Sequence, residues 1–150
     1  MKRSRISGAK ALAAELGIAD RVTFTGHVPP SDVAARLAEA RVLVLPNPSS
    51  AISTRFTSPL KLFEYMAARR PIVATSLPAI REVLNDDEHA LLVEPGDTGA
   101  MAAAIGRLLQ DHALAERLAR AAYGAAPQYT WARRAERIEA LLTEVGGGAA

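Results

Sequence analysis

A doubly wound α/β fold with a mostly parallel sheet is what this sequence predicts, and three observations carry the prediction. The runs Val42-Leu43-Val44-Leu45, Pro71-Ile72-Val73-Ala74-Thr75 and Ala90-Leu91-Leu92-Val93 are short, continuous and apolar, the pattern of strands covered on both faces. Between and after them lie stretches whose apolar residues recur at helical spacing. Regular alternation of strand and helix demands crossover connections, and those put helices on both faces of a Rossmann-like sheet.

Taken in order, residues from about Ser7 to Leu16 read as a helix with Leu12 and Leu16 on one side, ended by Gly17 as a left-handed cap. A strand is expected over Val22 to Gly26. After Pro29 and Pro30, Ser31 can cap a helix holding Val33 and Leu37. The strand at 42–46 follows, then a helix over 58–69, the strand at 71–75, a shorter helix near Ala79 to Leu84, and the strand at 90–94. That makes four strands. Asp97 can cap a helix carrying Met101, Ile105 and Leu108, and Gly96-Asp97-Thr98-Gly99 is read as a turn plus that cap. A further segment runs from about Ala113 to Tyr123, and Trp131, Ile138, Leu141 and Leu142 stripe a last helix. Neither a repeat nor a linker divides the chain, so residues 1–145 are expected to form one lobe and 146–150 a flexible tail.

Composition excludes several classes. The 150 residues, 49% of them hydrophobic, can bury a real core. Lys and Arg number 18 against 16 acids, in no sustained stripe, and three Phe, three Tyr and one Trp offer little for base stacking, so no nucleic-acid partner is expected. The absence of Cys removes disulfides, thiolate zinc sites and a cysteine nucleophile, and suits a reducing compartment. His27, His89 and His112 form no ligand-spaced pair, and Asp86-Asp87-Glu88 reads as a solvated turn, so no metal site is expected. Basic residues at Met1-Lys2-Arg3-Ser4-Arg5 precede no secretion-signal core, and no apolar stretch has bilayer-spanning length. The expected location is cytoplasmic, at most peripheral to the inner face of the membrane. Dinucleotide, Walker-type phosphate-loop and Gly-x-Ser-x-Gly motifs are absent.

The stretch Thr57 through Ala68 carries the most chemistry. Ser58 suits a helix N-cap and Pro59 the first helical position, where a missing N–H costs nothing. The free backbone N–H groups of Leu60 and Lys61 would then point out of the helix end with the positive end of its dipole, an arrangement that holds phosphate. At about 100° per residue, Lys61 and Glu64 fall together on the flank of an apolar arc of Leu60, Leu62, Phe63, Met66 and Ala67. An ordinary surface pair three residues apart is the plain alternative. Against it stands the local order of apolar run, polar loop and helix start, which is where open α/β sheets keep ligands.

In order along the chain, Phe24-Thr25-Gly26-His27-Val28-Pro29, Val42 to Pro46, Thr57 to Ala68, Pro71 to Thr75, Arg81-Glu82-Val83-Leu84, Leu92 to Asp97 and Tyr129-Thr130-Trp131 resemble the carboxy-terminal lobe of group 1 (family 4) glycosyltransferases of the GT-B fold. The resemblance covers about Leu12 to Glu139. It implies a lobe that binds a nucleoside-diphosphate sugar and takes part in sugar transfer to an acceptor with retention of configuration, with the donor as substrate, no resident cofactor and no required metal. It further implies that Glu64 accepts hydrogen bonds from the ribose diol, that Leu60 and Lys61 lie at the diphosphate beside the Ser58 cap, and that His27 and Val28 sit near the base at the end of the first strand. A carboxylate offers several acceptor sites to a diol, and a leaving diphosphate needs cationic or dipolar stabilisation. For His27, a surface or structural histidine stays open as the plainer reading.

Three departures from the family pattern bear on function. The first acid of the family's frequent Glu pair falls on Phe56, so sugar identity is unreadable and no catalytic residue is assigned. Arg69 stands where the family usually ends this helix with Gly; a left-handed residue there would cost about 1–2 kcal/mol, so a different helix end is expected. The family's acceptor lobe and the leading strands of this lobe are missing ahead of Met1, which implies an inactive isolated chain and a need for an acceptor-lobe chain or self-association. The alternative from another class is a noncatalytic domain that assembles with another chain through an exposed sheet edge. A sugar-nucleotide epimerase shares the fold, but its acidic residues have no counterpart here.

Overall fold

The computed structural model describes residues 5–49 and 60–147, which fall into two compact units, one up to Val33 and one from Ala34 onward. The amino-terminal unit holds α1 (Arg5–Glu15), a 3-10 turn at Ala19–Arg21 and the start of α2 (Pro30–Glu39). Gly17, at φ 65, ends α1 as its sequence position requires: the Gly17 N–H donates to Ala14 O and the Ile18 N–H to Ala13 O, the paired bonds of a Schellman cap. Leu12 and Leu16 do not form a buried face; both are exposed, and Ala13 is the buried residue of that helix.

Two further expectations for this unit are corrected. Residues 22–26 form no strand among the described residues. Val22 has extended backbone, but a strand exists only through a ladder, and without one Val22 and Phe24 stay exposed. Ser31 is not a cap. Helix α2 already starts at Pro30, whose fixed φ suits the first position, and the Ser31 hydroxyl is spent on Asp32 Oδ1 at 2.9 Å.

The larger unit contains a three-stranded parallel sheet in the order β1 (Leu43–Leu45), β2 (Ile72–Thr75), β3 (Leu91–Val93). Register aligns Leu43 with Ile72 and Val73 with Leu91. Period-two alternation then feeds two cores. Ile72 and Ala74 point with Leu43 and Leu45 into one, where α3 (Leu60–Ala67) contributes Leu62 and Met66, α4 (Pro78–Arg81) contributes Ile80, and Leu84 and Ala122 close it. Val73 and Leu91 point the other way, against Leu108 of α5 (Thr98–Gln110) and Leu114 and Leu118 of α6 (His112–Ala125). Helices therefore cover both faces, as the uninterrupted apolar strands require. Three of the four expected strands form, and β2, inaccessible along its whole length, is central.

Asp97 and Asp111 cap α5 and α6, accepting from the Ala100 and Leu114 N–H groups at 2.8 and 2.9 Å. Gly96, at φ 88, makes the turn ahead of Asp97. A 3-10 turn at Ala126–Tyr129 leads into α7 (Trp131–Gly147). Its stripe of Trp131, Ile138, Leu141 and Leu142 forms at the expected spacing but stays exposed. No described helix is long and apolar enough to cross a membrane.

Candidate functional site

Because β1 and β2 are parallel and α3 connects them, α3 must run back against the strands and so begins at the carboxyl end of the sheet. Its sequence fixes which face looks outward. Leu62 and Met66 are fully buried, Phe63 and Tyr65 are half-buried, and Leu60, Lys61 and Glu64 are exposed. The shared flank projected for Lys61 and Glu64 is thus open. Ser58, the expected cap, lies outside the described residues.

Glu64 does not face bulk water alone. With Leu60 and Phe63 it lines one side of a hollow of about 530 Å³, whose other side is Gln128, Tyr129, Thr130, Trp131, Arg134 and Arg137. Lys61 is not part of that lining. The aromatic floor is organised: Phe63 and Tyr129 stack with ring centroids 5.2 Å apart and planes at 28°. The Arg134 guanidinium lies 5.8 Å from the Trp131 ring centroid, while Trp131 itself is 76% exposed. Thr130 holds the corner, its hydroxyl accepting from the Arg133 N–H at 3.3 Å and its carbonyl from the Arg134 N–H at 3.0 Å. Arg134 and Arg137 have no carboxylate partner among the described residues. A carboxylate, two guanidinium groups and an aromatic floor around one opening can hold a ligand carrying hydroxyls and negative charge together.

Tyr65, next along α3, has its phenol pushed above the usual value of 10.0, first by burial and second by the Glu64 charge. It is a neutral donor at physiological pH. Among the described residues no cluster of three or more His, Asp or Glu side chains could hold a metal ion.

The other residues expected at the site sit in the amino-terminal unit. Gly26, at φ 68, turns the chain just ahead of His27; His27 is exposed and Val28 half-buried. Neither ends a strand, since 22–26 does not form one. The far wall of the hollow, Gln128 to Arg137, has no signal in local sequence beyond the Tyr129-Thr130-Trp131 motif. Arg134 and Arg137 look like ordinary solvated charges until the fold brings them opposite Glu64.

A parallel sheet with helices on both faces, and with α3 beginning at its carboxyl end, defines a Rossmann-like α/β lobe. A family model described as glycosyl transferases group 1 matches residues 3–111, and the chain belongs to that family. It is similar to a phosphatidyl-myo-inositol mannosyltransferase of Mycobacterium leprae, 35% identical over 122 residues that make up 81% of this chain and 31% of the relative. A D-inositol 3-phosphate glycosyltransferase of Acidothermus cellulolyticus is 34% identical over 129 residues, 86% of this chain and 27% of its own. Among solved structures, sucrose-phosphate synthase from Thermosynechococcus elongatus superposes with a TM-score of 0.80 at 27% identity, covering 98% of this chain and 36% of that one. Anabaena HepE in complex with UDP-glucose, at 19% identity and a TM-score of 0.75, covers 93% of this chain and 36% of that one, and shows the GT-B lobe fold alone. The chain thus spans about a third or less of the length of its relatives.

Proposed function

We propose that this chain is the donor-binding lobe of a retaining, family 4 glycosyltransferase that uses a nucleoside-diphosphate sugar and no metal. The single observation that carries the reading is Glu64, exposed on α3 at the carboxyl end of a parallel sheet and lining a hollow with two arginines opposite. In this reading Glu64 takes the ribose diol, while Leu60 and Lys61, with Ser58 as the cap, take the diphosphate and stabilise its charge as the sugar departs. His27 and Val28 serve the base. In this reading the acceptor lobe falls in the part of the relatives' length that lies outside the match, and transfer needs both walls of the cleft to align donor and acceptor. The relatives that act on inositol-bearing acceptors make a polyol or polyol phosphate the acceptor to try first.

Titration calorimetry with UDP and GDP tests the site. One of the two is expected to bind at low salt, and Glu64→Gln should weaken it about tenfold, the loss of a charge-assisted bond to a hydroxyl pair. No heat with either nucleotide at millimolar concentration would remove the donor assignment. A second reading, a noncatalytic domain that assembles with another chain through a sheet edge, is favoured by the two edge strands, β1 and β3, which lack an outer partner among the described residues. Light scattering separates the two: a clean monomer that binds nucleotide counts against assembly.

A further inference from the structure

The amino end of the sheet carries a second hollow, of about 550 Å³, that shares no residue with the first. Three arginines line it from two places in the chain. Arg41 stands just before β1, and Arg69 and Arg70 stand between α3 and β2; Pro71, Ala115 and Ala119 supply an apolar floor, and His112 opens α6 at the rim. Each guanidinium is held by something other than an acid. Arg41 Nη2 donates to Leu109 O at 3.2 Å, Arg70 Nη2 donates to Ala38 O, and the Arg69 guanidinium lies 5.9 Å from the Tyr123 ring centroid. None of the three has a carboxylate partner among the described residues. The one acid in the lining, Glu116, is already paired with Arg120 at 2.5 Å.

Two details make this more than a charged surface. Arg70 is half-buried, and its Nε is shut away from solvent with no acceptor among the described residues, so one donor of the guanidinium is desolvated without a hydrogen bond while Nη2 keeps the Ala38 carbonyl. Arg69 keeps its place at φ 52, a conformation that favours glycine, and thereby projects a guanidinium where the backbone alone would be cheaper. Three arginines that line one concavity from two places in the chain offer planar, multidentate donors of the kind that suits a phosphate group.

We infer that the hollow framed by Arg41, Arg69 and Arg70 is a phosphate-binding site, separate from the donor hollow, for a phosphate monoester or a free phosphate. It does not rest on the donor assignment, and its test fails separately. Amide shifts of Arg69, Arg70 and Ala115 are followed by NMR in the 150-residue chain while inorganic phosphate is added at low ionic strength, with chloride at matched ionic strength as the control. Cosedimentation with phosphatidylcholine vesicles, with and without phosphatidic acid, is the second arm. Saturable shifts with phosphate but not chloride point to a free phosphate; binding confined to phosphatidic acid vesicles points to a lipid headgroup.

In either case Arg69→Gly, which suits the backbone at that position and keeps the fold, should weaken binding about fivefold or more, while Lys61→Gln should leave it unchanged. The assignment is overturned if neither arm shows binding, if Arg69→Gly binds as well as the parent chain, or if Lys61→Gln abolishes the effect, which would move the phosphate to α3.

Discussion

Arg69 is the residue at which local backbone cost and side-chain use are most directly opposed. Contrary to the different helix end expected from its non-glycine identity, α3 does finish with this residue left-handed, its N–H donating to Met66 O at 3.3 Å. Such a conformation costs a non-glycine residue about 1–2 kcal/mol, of which the contact with Tyr123 returns about 0.5 kcal/mol. Arg69→Ala removes the contact and keeps the strain, whereas Arg69→Gly removes both and adds chain entropy to the unfolded state. Urea unfolding should therefore rank the glycine variant above the alanine variant by about 1 kcal/mol. Tyr65 supplies a second test at this scale. Its folded-state value lies above the ordinary 10.0, so its contribution to stability is present below pH 10 and declines as pH rises through the higher folded value. Spectrophotometric titration of Glu64→Gln should show Tyr65 moving partway back, since the Glu64 charge is removed and burial, the larger cause, remains.

At the scale of elements, helices α5 and α6 are started by the same device, an aspartate accepting from the N–H three residues on. Asp97→Ala and Asp111→Ala should each lower stability by about 1 kcal/mol in chemical denaturation, with the effects additive if the caps are independent. The Asp97 cap was legible in the sequence because capping is local, and so were the three strands, because an apolar run buried on both faces looks the same in any context; the Asp111 cap emerges only in the structure. The stretch at 22–26 shows the boundary of that reasoning: Val22 and Phe24 specify extended backbone, but pairing depends on a neighbour that no local pattern supplies. Helix periodicity alone was enough to put Glu64 on the outward flank of α3. The opposite wall was not legible, since Arg134 and Arg137 reach the hollow only through the turn at Ala126–Tyr129. The α7 stripe was read as a helix correctly, yet periodicity reports an apolar face and not whether anything covers it.

For the molecule as a whole, the division into two units has an energetic consequence. In the larger unit both faces of β2 are sealed, and Leu62, Met66, Ile72, Val73 and Leu118 are wholly inaccessible. Up to Val33, Ala13 is the only buried hydrophobic residue among the described ones, while Ile6, Leu12 and Leu16 are exposed. A methyl group contributes far less on burial than the leucines and methionine of the other unit, so α1 has little to hold it closed beyond its own hydrogen bonds. Opening of the first unit should accordingly cost only a small part of the global unfolding free energy. Hydrogen exchange provides the measure: amides of Ala11 to Glu15 should exchange orders of magnitude faster than those of Val73 and Ala74, whose protection should match global unfolding. Leu118→Ala, expected to cost about 2–5 kcal/mol, then discriminates between one cooperative body and two. It should lower the protection of β2 by its full cost and leave that of α1 unchanged; a parallel loss in both would mean that the two units unfold together.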